Sequence, residues 1–160
     1  MRDKPVRILW DAKDHPLINS GYGIVGRHLL PRFADRYGAE NIFIFAPVSQ
    51  HFHQEEWEGM RVLAGTSLDY GENLIEQHYK AVDATFLLMV GDWHHLRVVP
   101  QLAAEDKILW VQWGPYDFVK VPGSLIQATI KSAWHMVPWT ERDYRKFQSH
   151  GIGNVSRPIP

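Results

Sequence analysis

Three short segments of this 160-residue chain carry groups capable of chemistry. The first is Ser20-Gly21-Tyr22-Gly23, small residues that run directly into a helix-patterned stretch from Ile24 to Tyr37. A glycine-bearing loop that opens a helix leaves backbone N–H groups unobstructed at the positive end of the helix dipole, where a phosphate or another anion can sit. The same glycines suit a tight turn with positive φ. The second segment, Asp92-Trp93-His94-His95, follows an apolar run and should present its polar groups where a strand ends. Asp92, His94 and His95 are metal-ligating types, yet adjacent histidines on one turn diverge and no His-x-x-x-His spacing accompanies them. Hydrogen bonding to a polar ligand, or capping of a helix by Asp92, suits this segment better than a metal. The third runs from Trp113-Gly114-Pro115-Tyr116-Asp117 to Pro122, where two prolines fix the loop course. Asp117 in that aromatic setting can bind sugar hydroxyls or assist proton transfer, or it can organise an Asx turn.

Gly21, Gly23 and Gly26 also spell Gly-x-Gly-x-x-Gly, but residues 12–20 separate Asp11 from Gly21. In a dinucleotide enzyme the first glycine follows strand one almost at once, so nicotinamide binding is discounted. Nine histidines and many acids make chance Ser/His/Asp combinations easy, and none here is diagnostic. Arg142, Arg145 and Lys146 share a helical segment and Arg157 follows; a solvated surface explains them, with contact to an acceptor or a membrane phosphate as the alternative.

The elements that must position these groups are short apolar runs separated by helical patterns. Strands are predicted at Val6 to Trp10, Ile42 to Ala46, Thr85 to Val90, Ile108 to Trp113, His135 to Val137 and Gly153 to Ser156, with a minor one at Met60 to Leu63. The clearest helix places Val25, Leu29, Phe33 and Tyr37 at four-residue spacing and turns Arg27, His28, Arg32 and Arg36 outward. Further helices are predicted at Glu72 to Tyr79, Leu96 to Ala104, Ser124 to Ser132 and Glu141 to His150, the last with Thr140 as N-cap and Gly151 as its stop. Alternating strands and helices imply an α/β, Rossmann-like fold: a mostly parallel sheet with helices on both faces, in a single domain. In such sheets ligands sit outside the carboxyl ends of the strands.

Composition narrows the function classes. A net charge of −1, from 17 basic and 18 acidic residues, gives no broad attraction to nucleic acid or an anionic membrane. With no cysteine, disulfides, thiolate nucleophiles and cysteine-ligated metal sites are excluded, and a cytoplasmic setting is expected. No secretion signal is visible after Met1, and the longest apolar segment, Ala84 to Val90, is far below the roughly 20 residues that span a bilayer. The seven Trp, seven Phe and six Tyr are read first as packing.

Taken together, the segments resemble the N-terminal domain of GT-B glycosyltransferases, especially the family 4 group, which uses nucleotide-sugar donors with retention of configuration. Four pieces carry the resemblance in order: Ser20-Gly21-Tyr22-Gly23 with the helix through Leu29-Leu30-Pro31-Arg32-Phe33; Gly91-Asp92-Trp93 after a strand; Pro115-x-Asp117-x-x-x-x-Pro122; and Val137-Pro138-Trp139-Thr140-Glu141 with Gly151-Ile152 and Val155 to Pro160. The resemblance implies that residues 1–160 form the acceptor-side half of an active site, expected to be inactive alone. The donor-binding C-terminal GT-B domain, with its basic pair and carboxylate-rich motif, is not within them. Ser20, Gly21, Tyr22 and Gly23 would approach the donor phosphates. Asp92, Trp93, His94, Trp113 and Tyr116 would face the acceptor or the transferred sugar. Where many members place a histidine after the fourth main strand, this chain has Gln112 and Asp117, and Asp117 becomes the candidate catalytic carboxylate. The implied partners are a nucleotide-sugar co-substrate and an acceptor, without metal, other cofactor or nucleic acid; peripheral membrane contact is compatible. The competing expectations are a noncatalytic Rossmann-like binding module and a metal hydrolase centred on Asp92, His94 and His95.

Overall fold

All but the last of the apolar runs predicted to be strands do form strands, and the two central to the first unit are buried on both faces. In the computed structural model, which describes residues 4–48, 55–65, 68–92, 96–115 and 124–158, every residue of β1 (Ile8–Asp11) and β2 (Ile42–Phe45) is buried. The other strands are β3 (Glu56–Trp57), β4 (Met60–Leu63), β5 (Phe86–Val90), β6 (Trp110–Gly114) and β7 (His135–Pro138). Helices α1 (Gly21–Tyr37), α2 (Glu72–Ala81), α3 (Val98–Ala104), α4 (Ser124–Ser132) and α5 (Glu141–Ser149) alternate with them. The strands form one sheet in the order β3-β4-β2-β1-β5-β6-β7, mostly parallel and flanked by helices, which is a Rossmann-like α/β architecture. By its packing the chain divides into two units, Met1–Leu87 and Leu88–Pro160, with the boundary inside β5.

In the first unit β1 pairs in parallel with β2 from Ile8↔Ile42 to Asp11↔Phe45, and β2 pairs in parallel with β4. The two-residue strand β3 was not anticipated; it turns back antiparallel on β4, placing Trp57 opposite Met60. The core is built from Ile8, Leu9, Trp10, Leu30, Ile42, Ile44, Phe45, Met60 and Ile75, all fully enclosed.

Helix α1 departs from expectation in two ways. It begins at Gly21 rather than Ile24, because Ser20 is its N-cap and the glycines already belong to its first turn. None of Gly21, Gly23 and Gly26 has a positive φ, so the tight-turn reading is corrected as well. Its buried line is Gly23, Gly26 and Leu30, while Val25, Leu29 and Phe33 are half-buried and Tyr37 is exposed. This line faces the Trp10 indole, 3.8 Å from where a Cβ of Gly26 would stand, and Phe33 meets the same ring at a tilt with ring centroids 6.0 Å apart.

In the second unit β6 and β7 pair in parallel from Val111↔His135 to Gly114↔Pro138. The strand expected at Gly153 to Ser156 reduces to one bridge, Met136↔Val155, closed by the bonds from Met136 N–H to Asn154 O and from Ser156 N–H to Met136 O. Thr140 caps α5 as predicted, its hydroxyl oxygen accepting from Asp143 N–H at 3.1 Å. Asp92 is not the N-cap of α3, which starts at Val98 with Arg97 in the N-cap position. Among the described residues no helix is long and apolar enough to cross a membrane.

Candidate functional site

The carboxyl end of β1 gathers the charged groups of the first unit. Asp11, the polar residue that interrupts the apolar run of β1, is 3% exposed, and its Oδ1 accepts from the Lys13 N–H at 3.3 Å. Burial pushes its carboxyl up to about 7, the charge of Glu72 adds to the rise, and the Lys13 amide and ammonium act against it. Glu72, only 5% exposed, is the first residue of α2. Asp11 is thus a carboxyl poised to hold or release a proton near neutrality.

Lys13 follows in a left-handed conformation with φ 59°, and its ammonium lies over the rings of Tyr70, at 4.8 Å, and Tyr22, at 5.8 Å. His15 is buried; its Nδ1 accepts from Leu17 N–H at 3.1 Å, which places the ring proton on Nε2, and burial lowers its pKa so that the imidazole stays neutral.

The Ser20 hydroxyl has two duties. It donates to Asp14 Oδ2 at 2.7 Å and accepts from Gly23 N–H at 3.1 Å, joining the loop after β1 to the first turn of α1. Gly23 is demanded by packing, since a Cβ there would overlap the Ile18 carbonyl oxygen and meet that of His15 at 2.9 Å. Arg27 reinforces this approach by donating to Pro16 O at 3.0 Å and Ile18 O at 3.3 Å. Gly21 differs: it is exposed, and a Cβ there meets nothing within 4 Å. Of the predicted phosphate loop, then, Gly21 and Tyr22 lie in an open helix N-terminal turn, while Ser20 and Gly23 are committed to holding that turn.

In the second unit the carboxyl ends of β5 and β6 meet at Gly91. Its N–H donates to Trp113 O at 3.0 Å, and its carbonyl accepts from Gln112 Nε2 at 2.6 Å. Asp92 comes next and is half-buried. Trp113, half-buried, makes an edge-to-face pair with Trp139, whose ring centroid is 6.5 Å away. Trp139 remains 39% exposed, leaving aromatic surface beside the ends of β6 and β7.

Trp93, His94, His95, Tyr116 and Asp117 lie outside the described residues. Among the described residues no group of three or more His, Asp and Glu side chains is placed to hold a metal ion. Sequence reasoning missed the buried pair Asp11 and Glu72, although an acid ending an otherwise apolar strand was a visible signal for the first of them. Compared with known proteins, the chain matches no protein-family model and no curated protein.

Proposed function

We propose that this chain is the acceptor-side half of a retaining GT-B glycosyltransferase, acting on a nucleotide-sugar donor. The observation that carries the reading is the opening turn of α1, a 17-residue helix that begins beyond the end of β1 with an exposed, side-chain-free Gly21. Such a turn offers backbone N–H groups and a positive dipole end to a diphosphate. Asp11, in the same unit, is a buried carboxyl pushed up to about 7, and in the second unit, taken by itself, the exposed aromatic surface of Trp139 suits the apolar face of a sugar. In this reading Asp92, Trp93, His94, Trp113 and Tyr116 contact the acceptor or the transferred sugar, and Asp117 is the candidate catalytic carboxylate. A second domain, in the same or another polypeptide, supplies most contacts to the nucleotide. A cytoplasmic setting, which a chain without cysteine and hence without disulfides fits, belongs to the same proposal.

The test is titration of the chain with UDP, GDP and their glucose and mannose conjugates, followed by the backbone amide resonances of Gly21 and Tyr22. Gly21→Glu is the control: nothing obstructs the new side chain, an acid suits a helix N-terminus, and its charge repels a phosphate. Shifts at the turn that weaken in Gly21→Glu support the reading; no shift, or equal shifts in both proteins, ends it. Sustained sugar transfer by the chain alone would remove the need for a second half.

A noncatalytic binding module is the second reading. It is favoured by Asp14, whose carboxylate, bonded to the N-cap hydroxyl, already supplies negative charge at this helix end. On that reading nucleotides leave the amides of α1 unmoved.

A further inference from the structure

Among the described residues, Gln112 is one of several buried side chains that the fold leaves with an unpaired polar atom. Gln112 is 1% exposed, and its Oε1 has no hydrogen-bond partner. The amide cannot turn over to cure this. Its Nε2 donates to the Gly91 carbonyl at 2.6 Å, and flipping it would set two acceptors against each other. Gly91 is itself tied to β6 by its N–H bond to Trp113 O at 3.0 Å. On the other side a Cβ at residue 114 would overlap Gly91 O and come within 2.9 Å of Gln112 Nε2, so Gly114 lets the ends of β5 and β6 close on the amide. The carboxamide is therefore fixed in one orientation with a bare acceptor.

Stability alone gives no reason for this arrangement. A buried acceptor without a donor is a net loss, and an apolar side chain of the same shape avoids it. Gln112 is the middle residue of β6, and its amide reaches Gly91, the residue that follows β5, towards the end at which open parallel sheets take their ligands. What the acceptor lacks is a donor, and a hydroxyl group supplies one.

We propose that Gln112 is a ligand-reading residue whose Oε1 accepts a hydrogen bond from a hydroxyl of a bound sugar. That the ligand is a sugar rests on the function proposed above; the fixed, bare acceptor does not.

The test uses the whole chain with glucose, mannose and N-acetylglucosamine as probes, reading the side-chain amide resonances of Gln112 and the backbone amide of Gly91. At least one sugar should shift both, and Gln112→Met, close in shape but without the acceptor, should bind it about tenfold more weakly. If Gln112→Met does not fold, the wild-type side-chain shift decides. A sugar that binds without moving the Gln112 amide, or equally well in Gln112→Met, overturns the assignment, as does the absence of any sugar response. A long-lived water contacting Gln112 and undisturbed by the probes overturns it too. Loss of the nucleotide response at Gly21 with the sugar response at Gln112 retained would retire the transferase reading and leave the sugar site standing.

Discussion

Glu72 sits close enough to the buried Asp11 carboxyl for its charge to oppose the ionisation of Asp11. The first residue of α2 and the last of β1 thus share an enclosed, negatively charged corner in which one proton has particular value. The folded chain holds that proton up to about pH 7, whereas an ordinary aspartate releases it near 3.8. Between those values the native state binds a proton that the unfolded state has lost. This contribution to stability is therefore fully present below 3.8, declines as the pH climbs towards 7, and is level above that. The full shift corresponds to roughly 4 kcal/mol. Asp11→Asn keeps an oxygen able to accept from the Lys13 amide and removes the titration. Urea unfolding across the pH range should give the variant a flatter profile and greater stability than wild type above neutrality; an unchanged slope would assign the effect to other groups.

The two glycines at the start of α1 should respond to alanine with opposite signs. At Gly21 a methyl group meets nothing and reduces the freedom of the unfolded chain, so Gly21→Ala should be neutral or stabilise by roughly 0.5 kcal/mol. At Gly23 the same methyl collides with the backbone carbonyls of Ile18, which Arg27 holds in place, and of His15, which accepts from Ile18 N–H, so Gly23→Ala should cost at least about 2 kcal/mol. Denaturant midpoints of the two variants check both signs. A tolerated Gly23→Ala would mean that the 15–18 loop yields. If the cost is as expected, loss of ligand binding in a Gly23 variant says nothing about phosphate recognition.

The fold was largely legible because the parallel strands are short apolar runs, those of β1 and β2 buried on both faces, and because Thr140 has the form of an N-cap. What escaped has physical causes. Glycine has so little helix propensity that the first turn of α1 reads as loop until Ser20 is seen to cap it. The packing line of that helix is glycine, glycine and leucine, which a search for large apolar residues passes over in favour of Val25, Leu29 and Phe33. Strand β3 has two residues, one of them the exposed Glu56, and is too short for any periodicity. Asp92 has a capping side chain, but the following helix begins too late for it to serve. For the site, the pairing of Asp11 with Glu72 joins residues distant in sequence, and no local pattern encodes it. The bare acceptor on Gln112 depends on the Gly91 carbonyl in the same way.

Two N-caps offer a matched pair of variants. Thr140 does a single task for α5, accepting from Asp143 N–H, so Thr140→Ala should cost about 1 kcal/mol. Ser20 does that task for α1 and also donates to Asp14, so Ser20→Ala strips two bonds and should cost more, up to about 2 kcal/mol. Equal losses in equilibrium unfolding would mean that the bond to Asp14 contributes nothing.

Asp14 connects this cap to function. Its carboxylate stands where a ligand phosphate would look for the positive end of α1, so the two negative groups compete for one helix terminus. Asp14→Asn keeps an oxygen that can accept from the Ser20 hydroxyl and removes the charge. Relative to wild type it should lose about 0.5 kcal/mol of stability from the weakened dipole interaction. If the turn binds the donor diphosphate, the same variant should bind UDP or GDP several-fold more tightly, and the gain should shrink as salt is added, because screening weakens the repulsion that the substitution removes. Calorimetric titration at low and high ionic strength reads both effects. Stability lost with nucleotide affinity unchanged would leave Asp14 as a structural partner of Ser20 and remove the diphosphate from this helix end.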